Sequence, residues 1–510
     1  MEFEFSRNPL DKISADAIIV FAFENTKENA QKFIPLDSFL AVDKKLNSAL
    51  TKTAEIAKFS AKRGETLNFY PQENFLAKLI VVVGLGKKSE FTGDDLRRVM
   101  GILARDMKKK VTSLALSLPS ETSLASLFLA QLVVEGLILG KYEFNKYKTK
   151  EEKIGKELST IIFSITKNQE AKNVEQGIEK AKIYSQATNL ARDLVNEQAA
   201  IATPTYLADL ALSIAQKDKK HIVCKIYNKE QAEKLGMGAF LGVARASDTP
   251  PKFIHLEYSP DKTHSASSGQ AKKEKLAIVG KGITFDSGGI NVKHGDSMQD
   301  MKMDMSGAAI VLAVFSVISS IKPDFSVIGL IAATPNLISG KSLLPGDVVK
   351  AMNGKTIEIL NTDAEGRVTM ADSLSYAVKQ GATRIIDFAT LTGAVMIALG
   401  TEITGLFANN RQLAEDIRKA AVEAGEKVWE LPLEKEYKEL NKSEIADVAN
   451  IPNTRYGGAL TAALFLEEFV DGKAWAHLDI AGPAFASKSG DLWPKGGTGH
   501  GVRTVLNLLS

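Results

Sequence analysis

Apolar positions along the chain come in two alternating kinds of run. Short, nearly continuous ones (ADAIIVFAF, KLIVVVGLG, TSLALSLP and TIIFSIT) are separated by longer stretches with helical spacing. The same alternation returns further on in HIVCKIY, FIHLEYS, KLAIVGKG, FSVIGLIAAT, RIIDFATLTG and WAHLDIAG. Strand-like runs alternating with helices predict an α/β architecture. Between the two series lies NVEQGIEKAKIYSQATNLARDLVNE, with Val174, Ile178, Ala181, Leu190, Leu194 and Val195 near the helical period, which predicts a helix joining two domains. Thr203 followed by Pro204 reads as an N-cap and a first-turn proline opening the next helix, PTYLADLALSIAQ. The expected division is an N-terminal α/β domain over 1–168, a linking helix over 169–200 and a larger C-terminal α/β domain over 201–510.

Composition narrows the class. A chain of 510 residues is too long for one ordinary core, and 45% hydrophobic with 25% charged residues is the balance of a folded globular protein. A formal net charge of +3 gives no nucleic-acid footprint. The lone Cys224 rules out an internal disulfide and fits a reducing compartment, so a cytoplasmic location is expected. The start, MEFEFSRNPLDK, has no basic segment followed by an apolar run, and no signal peptide is expected. Two long apolar stretches, LASLFLAQLVVEGLILG (interrupted by Gln131 and Glu135) and AAIVLAVFSVISSI, fall short of the roughly 20 residues of a membrane span. They read as buried helices, with no membrane partner. The lysine-rich stretch 141–157 and the polar run 259–275 are expected as exposed connections.

Several familiar chemistries are missing. VVVGLGKKS resembles half a dinucleotide fingerprint through Gly84 and Gly86, but Ser89 stands at the third glycine position and no acidic ribose partner follows, so it reads as a tight turn into a helix opened by Thr92. Of the six histidines (His221, His255, His264, His294, His477 and His500), no two have the spacing of a zinc-binding HExxH helix, and His294 reads as solvent-facing. A serine nucleophile elbow, GxSxG, is absent. Any metal site here must rest mainly on carboxylates.

Carboxylates do gather. In LAIVGKGITFDSGGINVKHGDSMQDMKMDMSGAAIVLAVF an apolar strand runs into Lys281, then Asp286, a Gly288–Gly289 turn and Lys293, with Asp304 where a strongly apolar helix begins. Downstream, NTDAEGRVTM places Asp363, Glu365 and Arg367 two apart, which on an extended backbone puts all three on one face. In an open α/β sheet, ligand sites lie past the carboxyl ends of strands, where these charges fall. Four ionised carboxylates packed together repel, and two divalent cations, Mg, Mn or Zn, would cancel them. The alternative is an ion-pair network in which Lys281, Lys293 and Arg367 neutralise the acids; Asp304 could equally cap its helix.

These residues resemble the leucyl aminopeptidase (cytosol aminopeptidase) family. The signature NTDAEGR stands intact at 361–367, and VGKGITFDSGG, MKMDMSGA, ARDLVNE, DFATLTGA, GGALTAALFLEEFV, WAHLDIAG and GGTGHGVRT follow the family pattern across most of 180–510. The chain departs from it in NVKHGDSM after the glycines, in Ser306, in NEQAA, in Val368-Thr369 and in Pro483-Ala484, without losing a ligand position. The resemblance implies a macro-like N-terminal α/β domain, a C-terminal α/β catalytic domain with a mixed central sheet flanked by helices, and a homo-hexamer. It implies two divalent metal ions, Mn or Zn, one held by Lys281, Asp286, Asp304 and Glu365, the other by Asp286, Asp363 and Glu365. Lys293 corresponds to an electrophilic lysine and Arg367 to the holder of a bicarbonate. Met301, Thr390, Gly393 and Ala481 would line an apolar pocket for the first side chain. The implied activity is metal-dependent release of N-terminal residues, leucine and other apolar ones favoured, from small peptides with a free N-terminus. Two other classes compete: a nucleotide- or nucleic-acid-binding protein acting through its N-terminal domain, which the weak net charge disfavours, and a phosphoester hydrolase using the same carboxylates.

Overall fold

In a computed structural model the chain is described over residues 1–27, 32–71, 75–149, 157–165, 168–261 and 274–510. Residues 150–156 of the lysine-rich stretch and 262–273 of the polar run, His264 among them, lie outside the described residues. Two compact units are present: 1–186 with 489–494, and 187–488 with 495–510. The change of unit falls inside one long helix, Asn168–Asn196.

The first unit is built on a mixed sheet of seven strands, in the order Glu2–Ser6, Thr160–Ser164, Ser113–Leu116, Ala17–Glu24, Leu79–Lys87 and Thr66–Phe69, with Phe33–Pro35 paired on Ala17–Glu24. Its central strand shows why the apolar runs are continuous. Ala17, Ile19, Phe21 and Phe23 enter one core, and Ile18, Val20 and Ala22 enter another on the opposite face. A strand covered on both faces has no position left for a polar side chain. The VVVGLGKKS segment is the strand Leu79–Lys87 leading to the helix Gly93–Met107, where Thr92 and Asp95 form a reciprocal capping box.

The second unit carries an eight-stranded sheet. Its four central strands, Ala474–Asp479, Arg384–Ala389, Lys275–Asp286 and Ser326–Asn336, are parallel, so their carboxyl ends share one edge. Beyond them Thr404–Ala408 and Lys252–Tyr258 run antiparallel, with Val428–Glu430 and Ile222–Tyr227 outermost. The sequence-predicted strands are all present. Thr203 caps the helix Pro204–Lys217 by accepting from the Tyr206 amide, with Pro204 in its first turn.

Both long apolar stretches are helical. The second extends further than its sequence run: with the 3-10 turn before it, Met301–Ile321 makes 21 residues, long and apolar enough by composition to cross a membrane. Its burial, 78% of the apolar window, marks it instead as a core helix on the central sheet. In the first stretch, the helix Ser126–Lys141 carries Gln131 and Glu135 into the core. Glu135 accepts from Arg97 Nε at 2.7 Å and from Gln131 Nε2 at 2.7 Å, and Arg97 Nη1 donates to Asp94 at 2.8 Å. Burial alone would drive the charge off Arg97, but the carboxylates of Glu135 and Asp94 outweigh it and hold the guanidinium above its usual pKa. Removing one partner of a buried pair strands the other charge without water. Glu135→Ala is therefore expected to cost about 3–5 kcal/mol, read as a lower urea midpoint for the first unit's transition.

Candidate active site

Every acid singled out in the sequence, and both lysines, meet at the carboxyl edge of the central parallel strands. The strand Lys275–Asp286 supplies two of them. Its Gly280 faces the helix Ser306–Ile321, and the next residue, Lys281, points to the other face, toward the helix Glu365–Lys379. A register shift between Ile283 and Asp286 then turns Asp286 into the site, level with Asn336 at the end of the neighbouring strand. Asp304 lies in the 3-10 turn Met301–Met305, just before the apolar helix. Gly288 has φ +87°, and a Cβ there would stand 2.3 Å from the Asn291 carbonyl oxygen, so only glycine makes the turn that returns Lys293 to the cluster.

The NTDAEGR stretch corrects one expectation. Its backbone is not extended: Thr362–Ala364 form a 3-10 turn and Glu365–Lys379 an α-helix. The apolar residues beyond Arg367 pack at helical spacing, and Asn361 caps the turn by accepting from the Asp363 amide at 2.8 Å. Asp363 and Glu365 therefore reach the cluster from the last turn before a helix and from its first residue, where the helix dipole favours negative charge. Arg367 points elsewhere than into the acids. Its Nη1 donates to the Asn450 carbonyl at 2.8 Å, and its buried Nε has no acceptor.

Distances define the core. Lys281 Nζ lies 2.7 Å from Asp304 Oδ1 and 3.0 Å from Glu365 Oε1, and donates to the Thr390 carbonyl at 3.1 Å. Lys293 Nζ lies 2.9 Å from Asp286 Oδ2 and 2.6 Å from Asp363 Oδ1. Part of the ion-pair network weighed from the sequence thus exists, built from the two lysines without Arg367. It does not satisfy the acids. Asp304 Oδ2, Asp363 Oδ1 and both oxygens of Glu365 are buried without a well-aligned hydrogen-bond donor, the ion-pair contacts of Asp363 Oδ1 with Lys293 and of Glu365 Oε1 with Lys281 notwithstanding. Four carboxylates against two ammonium groups also leave negative charge uncompensated. One oxygen each from Asp286, Asp363 and Glu365 falls within 4.8 Å of the others, a spacing that a divalent ion can bridge.

The electrostatics follow from burial. Desolvation raises the carboxyl of Asp304 to about 6, with Asp286 adding like charge against the pull of Lys281. Glu365 is raised well above its usual range by burial and then by Asp286, and Asp363 is raised by burial as well. Burial works against the charge on both lysines, yet the surrounding carboxylates outweigh it and raise both. Arg367 is lowered to about 10 by burial. Oxygens this costly to ionise, and unmet by donors, fit a set of metal ligands.

The expected pocket residues are placed unevenly. Thr390 touches the cluster directly, its hydroxyl donating to Asp304 Oδ1 at 2.7 Å. Met301 opens the turn that carries Asp304, Gly393 starts the helix Gly393–Leu399, and Ala481 follows the strand Ala474–Asp479. His294 is exposed, as its sequence context predicts. Sequence reasoning missed the residues that hold these loops. Asn336 donates to Asp286 Oδ1 at 2.9 Å and to the Thr362 carbonyl at 3.1 Å. Asn450 accepts from the Leu360 amide at 2.8 Å and donates to the Asn361 carbonyl at 2.6 Å. The only sequence signal for Asn336 is its place at the end of a strand.

The fold and this cluster define a two-domain α/β protein with a buried carboxylate centre at the carboxyl edge of its central sheet. Residues 189–506 match the catalytic domain, and residues 19–151 the N-terminal domain, of the cytosol aminopeptidase family. A probable cytosol aminopeptidase of Alkaliphilus oremlandii is 41% identical, with 100% of this chain and 99% of the relative covered. A mutant of tomato leucine aminopeptidase superposes with a TM-score of 0.86 at 35% identity, covering 100% of this chain and 96% of the other. The bottromycin maturation enzyme BotP in complex with Mn superposes with a TM-score of 0.82 at 30% identity, covering 97% and 99%. The chain belongs to the cytosol aminopeptidase family and is an aminopeptidase, a hydrolase acting on peptides.

Gly366 gives a direct check on this geometry. A Cβ there would lie 2.2 Å from Lys281 Cε, the movable end of a side chain, so an added methyl displaces the lysine and spares the backbone. Gly366→Ala is expected to fold with a lowered melting temperature, since displacing the buried Lys281 loosens its pairs with Asp304 and Glu365. Divalent-ion binding at the acids, followed by calorimetry with Mn²⁺ as the probe, should weaken about 10–100-fold.

Proposed function

We propose that this protein is a metal-dependent aminopeptidase that removes N-terminal residues, leucine and other apolar ones foremost, from small peptides. The observation that carries this reading is the group of buried carboxylate oxygens without hydrogen-bond donors, gathered around Lys281 and Lys293. Two divalent ions, Mn or Zn, fit that donor set. Lys281, Asp286, Asp304 and Glu365 would hold one, and Asp286, Asp363 and Glu365 the other. Bound there, the ions supply Lewis-acid polarisation of the scissile carbonyl and an acidified water.

The remaining work belongs to the chain's own groups. Lys281 must be neutral to act as a ligand, and the Thr390 carbonyl at 3.1 Å takes one of its N–H bonds and so aims its lone pair. Lys293, on a glycine turn and 15% exposed, is the one cation of the cluster within reach of a substrate carbonyl, where it stabilises the oxyanion. Arg367, with a buried Nε free of an acceptor, would hold a bicarbonate, which would supply a general base beside the site. Met301, Thr390, Gly393 and Ala481 border the space for the first side chain. A free α-amino group on the substrate makes the cleavage an exopeptidase one. Exposed apolar side chains of the second unit, Ile397 and Trp429 among them, support burial in an assembly, read here as the family's homo-hexamer. The lone Cys224 supports a cytoplasmic setting.

Hydrolysis of leucine p-nitroanilide tests the reading, with protein stripped of metal and then given Mn²⁺ or Zn²⁺. Metal should restore cleavage, and Glu365→Ala should abolish the restoration. The N-acetylated substrate should be inert, and Lys293→Met should lower kcat by about 10²–10³-fold. Folded protein that cleaves nothing with either metal would overturn the proposal.

A further inference from the structure

One buried carboxylate next to the site has no part in the chemistry above. Asp479 ends the strand Ala474–Asp479 at the carboxyl edge of the sheet, paired in register with Ala389, and its side chain is fully buried. It meets donors from two loops. Oδ1 accepts from the Leu391 amide at 3.1 Å and from the Ala481 amide at 3.2 Å, and Oδ2 accepts from the Thr392 hydroxyl at 2.7 Å. Thr392 in turn accepts from the Val395 amide at 3.1 Å, capping the helix Gly393–Leu399, so its hydroxyl proton is committed to Asp479.

Those two loops carry the functional groups. Residues 390–393 include Thr390, whose carbonyl receives Lys281 and whose hydroxyl donates to Asp304. They also include Gly393, and the other loop presents Ala481. A single carboxylate therefore fastens both walls of the proposed side-chain pocket to each other and to the lysine–aspartate pair behind them. Tying a turn to a strand end does not require a buried charge, and burial is costly unless every lone pair is met. Here donors from both sides meet it, which is the condition under which a buried polar network fixes one arrangement of its loops.

We propose that Asp479 is a positioning residue that couples the side-chain pocket to the Lys281–Asp304 pair, setting both the preference for the first residue and the affinity of the metal that this pair binds. The inference rests on the aminopeptidase reading given above. Asp479→Asn keeps the shape but turns a donor toward the Thr392 hydroxyl. Thr392→Val deletes that hydroxyl at nearly constant volume, and Thr392→Ser restores it.

The test measures Mn²⁺ binding to the metal-stripped full-length protein by calorimetry. It also measures kcat/KM for leucine and alanine p-nitroanilides, with folding checked by circular dichroism. Asp479→Asn and Thr392→Val should each weaken Mn²⁺ binding about tenfold or more. They should also lower the leucine-to-alanine ratio about tenfold, while Thr392→Ser holds both near wild type. A purely structural role would change the folded fraction and leave the ratio alone. Should Asp479→Asn fail to fold, the Thr392 pair decides. Folded variants with Mn²⁺ affinity and ratio within about twofold of wild type overturn the inference. Wild-type protein that binds Mn²⁺ but cleaves neither substrate overturns the aminopeptidase reading instead, and the calorimetry then decides the metal half of the inference. Absence of Mn²⁺ binding by the wild type overturns both.

Discussion

Four carboxylates brought out of water at one point set the terms for the rest of this protein. Asp286, Asp304 and Glu365 are almost wholly buried, and Asp363 is 34% exposed in its side chain. Taking such groups out of water costs several kcal/mol each unless cations and donors replace the solvent. Two lysines replace part of it. The oxygens they leave without donors keep the site from being a closed salt-bridge network, and their spacing is one that a divalent ion can bridge.

The sheet makes that concentration of charge possible. Four parallel strands end at one edge, and the segments leaving them need only a few residues to converge. Lys281 and Asp286 arrive on one strand, Asn336 on its neighbour, and Thr390 and Asp479 just past or at the ends of the next two. The bodies of these strands are buried and mostly apolar, their buried charges Asp387 and His477 meeting each other, so short polar turns leave from a well-packed frame. Close contacts set the remaining limits: Gly366 leaves room for the Lys281 side chain, and Gly288 permits the turn that returns Lys293.

A second layer of polar groups fixes the ligands. Asn336 ties Asp286 to the 361–364 turn, Asn450 ties that turn to Arg367, and Thr390 ties Lys281 to Asp304. Each of these residues is buried and meets several partners at once, through side chain or backbone. In metal sites, neighbours that orient the ligands in this way typically change affinity by about 10–100-fold. The centre is thus a property of four or five loops acting together.

The sequence by itself determined the α/β alternation, because strands covered on both faces are mostly apolar runs and helices repeat near every fourth residue. It also singled out the acids that the fold gathers at one sheet edge, since acids flanked by glycine turns and apolar runs stand out wherever they fall in the chain. It misplaced the local backbone of NTDAEGR: charges two apart look like one face of a strand, whereas the Asn361 cap and the apolar spacing beyond Arg367 make a turn and a helix. Only the tertiary structure decided which lysine meets which acid, that Arg367 turns to Asn450, and that Asn336, Asn450 and Asp479 hold the site. The pairs Asn336–Asp286, Arg367–Asn450 and Thr392–Asp479 join residues 50 to 90 positions apart. No periodicity reports a contact made by strands side by side in space and distant in sequence.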